Sequence, residues 1–370
     1  MPGQAKLSRI TEGGTILAVP TGNRDKGPGT RAGVFYNPAM RTNRDIAVLF
    51  GRAVVKNGWT CLDALGGTGA KGIRLAKESG KDLEVQVNDL DSGSYSAIKK
   101  NIALNKLENV TASNLEYNAL LSGRGFDWID IDPFGSPVKF LDLAVRHASR
   151  GGIISITATD TAPLCGTKPD TCLRRYQAMP LNDRACHEFG LRILVGNAVR
   201  RAAVFDYALE PVLAYYHGHY FRAYLRKKKG VQVANDALGG FGYVRWDDSK
   251  GYSVATAQPQ KGRYAGPLWT GPLWEPAAVK RMLKACDGTF HRDTLTILES
   301  LKGELLKPPY YYDIDDMARR TGTRPLKTDE VVRSLRDAGH RASGVHYSRK
   351  GVKTDAGLPA IGEIFNNASQ

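Results

Sequence analysis

Between Trp59 and Thr159 the chain repeats one pattern: a short apolar run, a turn, then an amphipathic segment. "WTCLDAL", "LEVQVND", "NVTASNL", "DWIDID" and "IISITAT" read as strands, with "KGIRLAKESG", "SYSAIKKNIALNK" and "FLDLAVRHASRGG" as intervening helices. Ile98 and Ile102 fall one helical turn apart, and the last helix is expected to close at its glycines. Strands alternating with helices give a parallel sheet covered on both faces, a doubly wound α/β domain. Further on, "PVLAYYHGHYFRAYLRKKK" reads as two strands joined at Gly218, an antiparallel pair for the sheet edge.

Composition changes after "RKKKG". "GGFGYVRW" and "AGPLWTGPLW" carry no helical period, whereas "PAAVKRMLKAC", "RDTLTILESLKGEL", "IDDMARRTG" and "TDEVVRSLRDAG" do. We therefore expect two domains, residues 1–225 and 226–370, the second a smaller α+β module with winged-helix-like short helices before a hairpin.

The formal charge is +15, and residues 226–370 alone hold 24 Lys and Arg against 16 Asp and Glu. Such an excess favours polyanions, nucleic acid above all. Five cysteines without a C-x-x-C pair argue against a disulfide scaffold and show no zinc-ligand spacing. His217 and His219 flank the predicted turn glycine and read as hairpin residues, so no metal is expected. No apolar run reaches the roughly 18 residues of a membrane span. The start, "MPGQAKLSRI", lacks a signal-peptide core, so a cytoplasmic protein is expected.

"LDALGGTGAKG" sets Gly67-x-Gly69-x-x-Gly72 between a strand and a helix. Glycines there, Gly66 included, let the backbone turn sharply and approach a ligand next to helix N–H groups. Asp89, ending the second strand, can hold ribose hydroxyls. Asp63, ending the first, can brace the turn or approach a cofactor amine. This arrangement fits NAD and S-adenosylmethionine equally.

"DIDPFG" bears on the choice. An exocyclic amine is a poor nucleophile because its lone pair is delocalised into the ring. A carboxylate and a carbonyl accepting its two N–H bonds localise that pair and orient it. Asp132 supplies the carboxylate and Pro133 the carbonyl, while Phe134 can stack on a base. The C-terminal end of a central strand is also where open α/β sheets bind ligands.

The sequence resembles the tRNA (guanine-26 N2)-dimethyltransferases, in a form close to the archaeal members. "ITEGGTILAVP", "VFYNPAMRTNRD", "DIDPFGSP", "TATDTAPLCG", "CLRRYQAMPL", "CHEFGLRIL", "AGPLWTGPL", "PYYYDIDDMA" and "HYSRKGVKTDA" carry the likeness, in order, along almost the whole chain. The resemblance implies a class I, Rossmann-like methyltransferase domain at 1–225 and a family-specific tRNA-binding domain at 226–370. It implies transfer of one or two methyl groups from S-adenosylmethionine to the guanine N2 amine at position 26. On the family pattern Arg44 contacts the cofactor, Asp89 holds its ribose, and Glu116 and Tyr117 lie at the adenine. Asp132 is the catalytic carboxylate, Pro133 presents its carbonyl, and Phe35 and Phe134 sandwich the guanine. Lys71 stands where the family usually has an arginine, which alters contact with the cofactor carboxylate. Paired cysteines that some members carry before "GPLW" are absent here.

Two other readings compete. An NAD-dependent oxidoreductase would use the same glycine turn and need no RNA. A tRNA-binding protein without activity would keep the basic surface alone. For RNA contact, Lys227, Lys228 and Lys229, with Arg349, Lys350 and Lys353 near the C-terminus, are the candidate phosphate ligands, whereas Tyr310 to Tyr312 read as packing. Asp160 could support the site.

Overall fold

The computed structural model describes residues 7–21 and 34–368. Residues 1–6, read above for a targeting signal, lie outside the described residues. In chain order, the hairpin β1 (Leu7–Glu12) and β2 (Thr15–Pro20) precedes α1 (Arg41–Val54). The alternating region follows as β3 (Trp59–Asp63), α2 (Ala70–Glu78), β4 (Leu83–Asn88), α3 (Ser92–Asn105), β5 (Val110–Ser113), α4 (Tyr117–Leu121), β6 (Phe126–Ile131), α5 (Leu141–His147) and β7 (Ala148–Ala158). Next come α6 (Thr161–Leu164), α7 (Pro169–Tyr176), α8 (Cys186–Ala203), β8 (Tyr207–His217), β9 (Tyr220–Lys229) and α9 (Val231–Leu238). The remainder is β10 (Phe241–Asp247), β11 (Gly251–Ala255), β12 (Arg263–Trp269), α10 (Pro276–Ala285), α11 (Arg292–Gly303), β13 (Tyr312–Asp313), α12 (Ile314–Thr321), α13 (Thr328–Asp337), β14 (Ala342–Gly344), β15 (Gly351–Thr354) and α14 (Leu358–Asn367).

The strands that read as a parallel sheet form one: the order is β5-β4-β3-β6-β7-β9-β8, with β8 and β9 antiparallel. Strand order reverses between β3 and β6, the place where doubly wound sheets open a crevice at their C-terminal ends. The expected helix "FLDLAVRHASRGG" stops at His147, and its glycines lie in β7 instead. Ala148 turns extended and starts the pairing to Phe126, so the strand begins before the glycines are reached.

Two compact units partition the chain. One comprises 1–133, 140–156 and 277–298; the other comprises 134–139, 157–276 and 299–370. The compositional shift at 226 falls within β9, inside the second unit. In that unit, helix α8 has buried residues on every face, the mark of a helix fully enclosed by its surroundings. Helix α12 shows the amphipathic alternative. Ile314, Met317 and Ala318 form its buried stripe, Asp313 caps its start, and Gly322 ends it at φ +69°. Around α12 and α13 the three-stranded sheet β13-β15-β14 supplies the hairpin expected after the short helices. Among the described residues no helix is long and apolar enough to cross a membrane.

Candidate active site

The glycine turn leaves β3 and enters α2 with its backbone fixed from three sides. Gly66 N–H donates to Asn88 O, Gly67 N–H to Asp89 Oδ2, and Gly69 N–H to Gly66 O, all at 2.8 Å. Gly67 adopts φ +58°, and a Cβ there would stand 2.9 Å from the Phe35 carbonyl oxygen, so only glycine fits without strain. The segment carrying half-buried Phe35 therefore crosses directly over the turn. Asp89 also accepts from Asp91 N–H at 2.9 Å, and burial pushes its carboxyl upward. Asn88 braces the neighbouring loop from beneath, accepting from Leu115 N–H at 3.0 Å.

Below the turn lies a cluster of acids around one cation. Lys71, in the first turn of α2, donates to Asp130 Oδ2 at 2.8 Å and to Asp132 Oδ2. Asp63 accepts the Gly72 N–H at 3.0 Å and is almost fully buried. Burial pushes its carboxyl up to about 7; Lys71 opposes the rise, and Asp130 and Asp132 add to it. Asp130 is held on its other oxygen by Ser155, which accepts from the Trp128 indole at 2.7 Å. Asn43 of α1 reaches Asp132 at 3.5 Å, and its own buried Oδ1 has no hydrogen-bond partner among the described residues. A buried acceptor left open beside a carboxylate suits a ligand that brings donors.

Arg44 sits elsewhere in the same unit. Its guanidinium grips Glu12 with two 2.6 Å bonds, donates to Asn37 O at 3.1 Å, and lies 4.8 Å over the Tyr36 ring. Arg74 joins Glu12 at 2.8 Å and Asp45 at 2.6 Å, and is also paired with Glu78. Burial works to raise the Glu12 carboxyl, but the two guanidiniums outweigh it and hold the group down at about 2. Glu12, Asp45 and Arg74 carried no signal in the sequence, because their partners are distant along the chain.

Glu116 is exposed and caps α4, accepting from Asn118 N–H at 2.7 Å. Tyr117 turns inward, donating to Phe140 O at 3.0 Å, with its ring edge-on to Phe140. Pro133 is buried where β6 runs out. In the second unit Phe134 is 59% exposed, and Gly135 exchanges hydrogen bonds with Thr159, donating to Oγ1 at 2.7 Å and accepting from N–H at 3.0 Å. Asp160 there accepts from Tyr176 at 2.6 Å and Arg175 at 3.0 Å.

Several basic candidates are engaged within the second unit. Lys353 is wholly buried between Glu188 at 2.7 Å and Glu304 at 3.0 Å, so it is an ion-pair partner and no phosphate ligand. Lys227 is buried against Tyr207, its ammonium 3.9 Å from the ring centre, and Lys228 pairs with Glu210 at 2.7 Å. Lys229 is exposed.

Residues 20–366 match the family model of N2,N2-dimethylguanosine tRNA methyltransferases. This chain belongs to that family. It is 38% identical to the tRNA (guanine(26)-N(2))-dimethyltransferase of Thermococcus kodakarensis, over 98% of this chain and 100% of that one. With the enzyme of the same description from Pyrococcus abyssi it shares 40% identity, over 91% and 94% of the two chains. The solved structure of Trm1 from Pyrococcus horikoshii in complex with S-adenosyl-L-methionine superposes with a TM-score of 0.87 at 36% identity, covering 97% of this chain and 99% of that one. Within this family frame, a class I methyltransferase sheet accounts for the strand order and for the glycine turn at its C-terminal end.

Proposed function

We propose that the protein is an S-adenosylmethionine-dependent tRNA methyltransferase that adds one, then a second, methyl group to the N2 amine of guanine 26. The observation that carries the chemical reading is the Asp132 carboxylate at the exit of β6, paired with Lys71 and adjoined by the unfilled acceptor of Asn43. The residues suit the cofactor. The glycine turn offers close backbone approach, and Asp89 offers a half-buried carboxylate at the end of β4. Bound there, S-adenosylmethionine supplies an electrophilic methyl on sulfonium.

Everything else is work for this chain. Asp132 and the Pro133 carbonyl accept the two N–H bonds of the guanine amine, drawing its lone pair out of the ring. As the N–C bond forms, the methyl–sulfur bond would break to leave a neutral thioether, and the amine proton passes to Asp132 and from there to solvent. Lys71 steadies that carboxylate. Phe35 and Phe134 stack on the flipped base, and Asp63, Gly66 and Asp89 shape the cofactor end, with Glu116 and Tyr117 at its adenine side. Arg44 acts through Glu12, holding the end of β1 to α1. Basic surfaces of both residues 1–225 and residues 226–370 position the folded tRNA, and the setting is cytoplasmic.

Asp132→Asn tests the assignment. General-base loss lowers kcat by about 10²- to 10⁴-fold, with cofactor affinity, read by calorimetry, within a few-fold of the parent. Equal losses in rate and cofactor affinity would remove Asp132 from its catalytic role.

A further inference from the structure

Three soft donors meet in the second unit where two distant stretches of sequence come together. Cys165 ends α6, Cys186 opens α8, and His187 follows it. The two sulfurs and an imidazole nitrogen all lie within 4.8 Å of one another. In a tetrahedral zinc site with Zn–S of about 2.3 Å and Zn–N of about 2.0 Å, donors stand roughly 3.5–3.8 Å apart. Small side-chain rotations close the difference.

The surroundings favour deprotonated, oriented ligands. Cys186 occupies the first turn of an 18-residue helix, whose N-terminal dipole favours a thiolate. The His187 ring stacks on Tyr216, centroids 4.1 Å apart and 18° from parallel, which fixes its plane. Cys186 and His187 are half-buried, so an ion can enter. Spacing rules missed the group because its members lie on two segments, 165 and 186–187.

We propose that Cys165, Cys186 and His187 bind one zinc ion, with water as the fourth ligand, tying the end of α6 to the start of α8. Two thiolates and an imidazole select zinc over hard cations such as magnesium. Binding forms two Zn–S bonds and one Zn–N bond, and the thiol protons leave to solvent.

Full-length protein, purified under reducing conditions and stripped by chelation, would be titrated with cobalt(II). The expected result is about one equivalent bound, with a thiolate-to-cobalt charge-transfer band and tetrahedral visible bands that zinc abolishes. Cys165→Ser and His187→Ala should each lose those bands, and Cys286→Ser should keep them. His187→Ala carries the comparison if a serine variant unfolds, as checked by circular dichroism. A parent protein with five free thiols and no cobalt band would overturn the proposal. So would a Cys165–Cys186 disulfide persisting in the reduced preparation, or bands that survive both ligand substitutions.

Discussion

Replacing Lys71 with methionine isolates what the cation does for the acid cluster. The Lys71 side chain is about 10% exposed and lies 2.8 Å from Asp130 while also touching Asp132. At an effective dielectric of about 20, one such contact is worth roughly 6 kcal/mol of attraction before desolvation. Breaking a buried pair by removing one partner costs about 3–5 kcal/mol. We expect that loss at pH 8, where Asp130 and Asp132 are left facing each other near Asp63. Asp63, already pushed up to about 7 by burial with Lys71 opposing the rise, can limit the penalty by holding a proton, at about 1.4 kcal/mol for each pH unit above its unfolded value near 3.9. That ceiling is about 1.5 kcal/mol at pH 5 and about 5.6 kcal/mol at pH 8. The sign follows: a carboxyl raised in the folded state contributes stability below its unfolded value, and that contribution is lost as pH climbs through the folded value. The deficit of Lys71→Met therefore shrinks on acidification. Amide exchange across β6, corrected for intrinsic rates at each pH, measures it locally. A deficit below about 1 kcal/mol at pH 8, or one equal at the two pH values, would refute the electrostatic argument.

Three other outcomes follow from the same geometry. Glu12→Gln should cost about 3 kcal/mol at pH 7, since the carboxyl is held near 2 against an ordinary 4.5. That stability exists above pH 4.5 and disappears as pH falls through 2, so acid titration of parent and variant should converge at the low end. Lys353→Met leaves Glu188 and Glu304 without their shared cation and should destabilise the second unit by about 3–5 kcal/mol, seen as loss of amide protection in β15. Phe134→Ala should lower kcat/KM for tRNA by about 5- to 150-fold, the worth of one base–aromatic stack, with cofactor binding unchanged; an unaltered kcat/KM would take Phe134 out of the base pocket.

Local periodicity made the parallel sheet legible. Strands β3 to β7 are short apolar runs bounded by turns, and their helices carry an apolar stripe, so each declares itself within a dozen residues. Helix α8 did not, because burial on every face erases the stripe. The β1–β2 hairpin also escaped, its alternation being short and interrupted. Of the proposed site, the glycine turn, Asp63, Asp89 and Asp132 stand out in the sequence because position at strand ends gives such residues meaning. Lys71 was read as facing the cofactor, yet its ammonium turns to two carboxylates, Asp130 and Asp132, some sixty residues on. The Glu12–Arg44–Arg74 network is equally non-local, and no spacing rule reaches it. Lys353 shows the opposite failure. It read as a surface cation by composition, whereas the fold buries it between two glutamates.

The most direct test of the account is methylation of a defined RNA. Purified protein would be incubated with S-adenosylmethionine and an unmodified tRNA transcript bearing guanine at position 26, beside a matched transcript bearing adenine there. Nucleosides would then be identified by mass spectrometry after digestion. N2-methylguanosine and N2,N2-dimethylguanosine arising only from the guanine-26 transcript is the expected result. No methylated guanosine from either transcript, with cofactor binding shown by calorimetry, would contradict the assignment of this chain as a guanine-26 N2-methyltransferase.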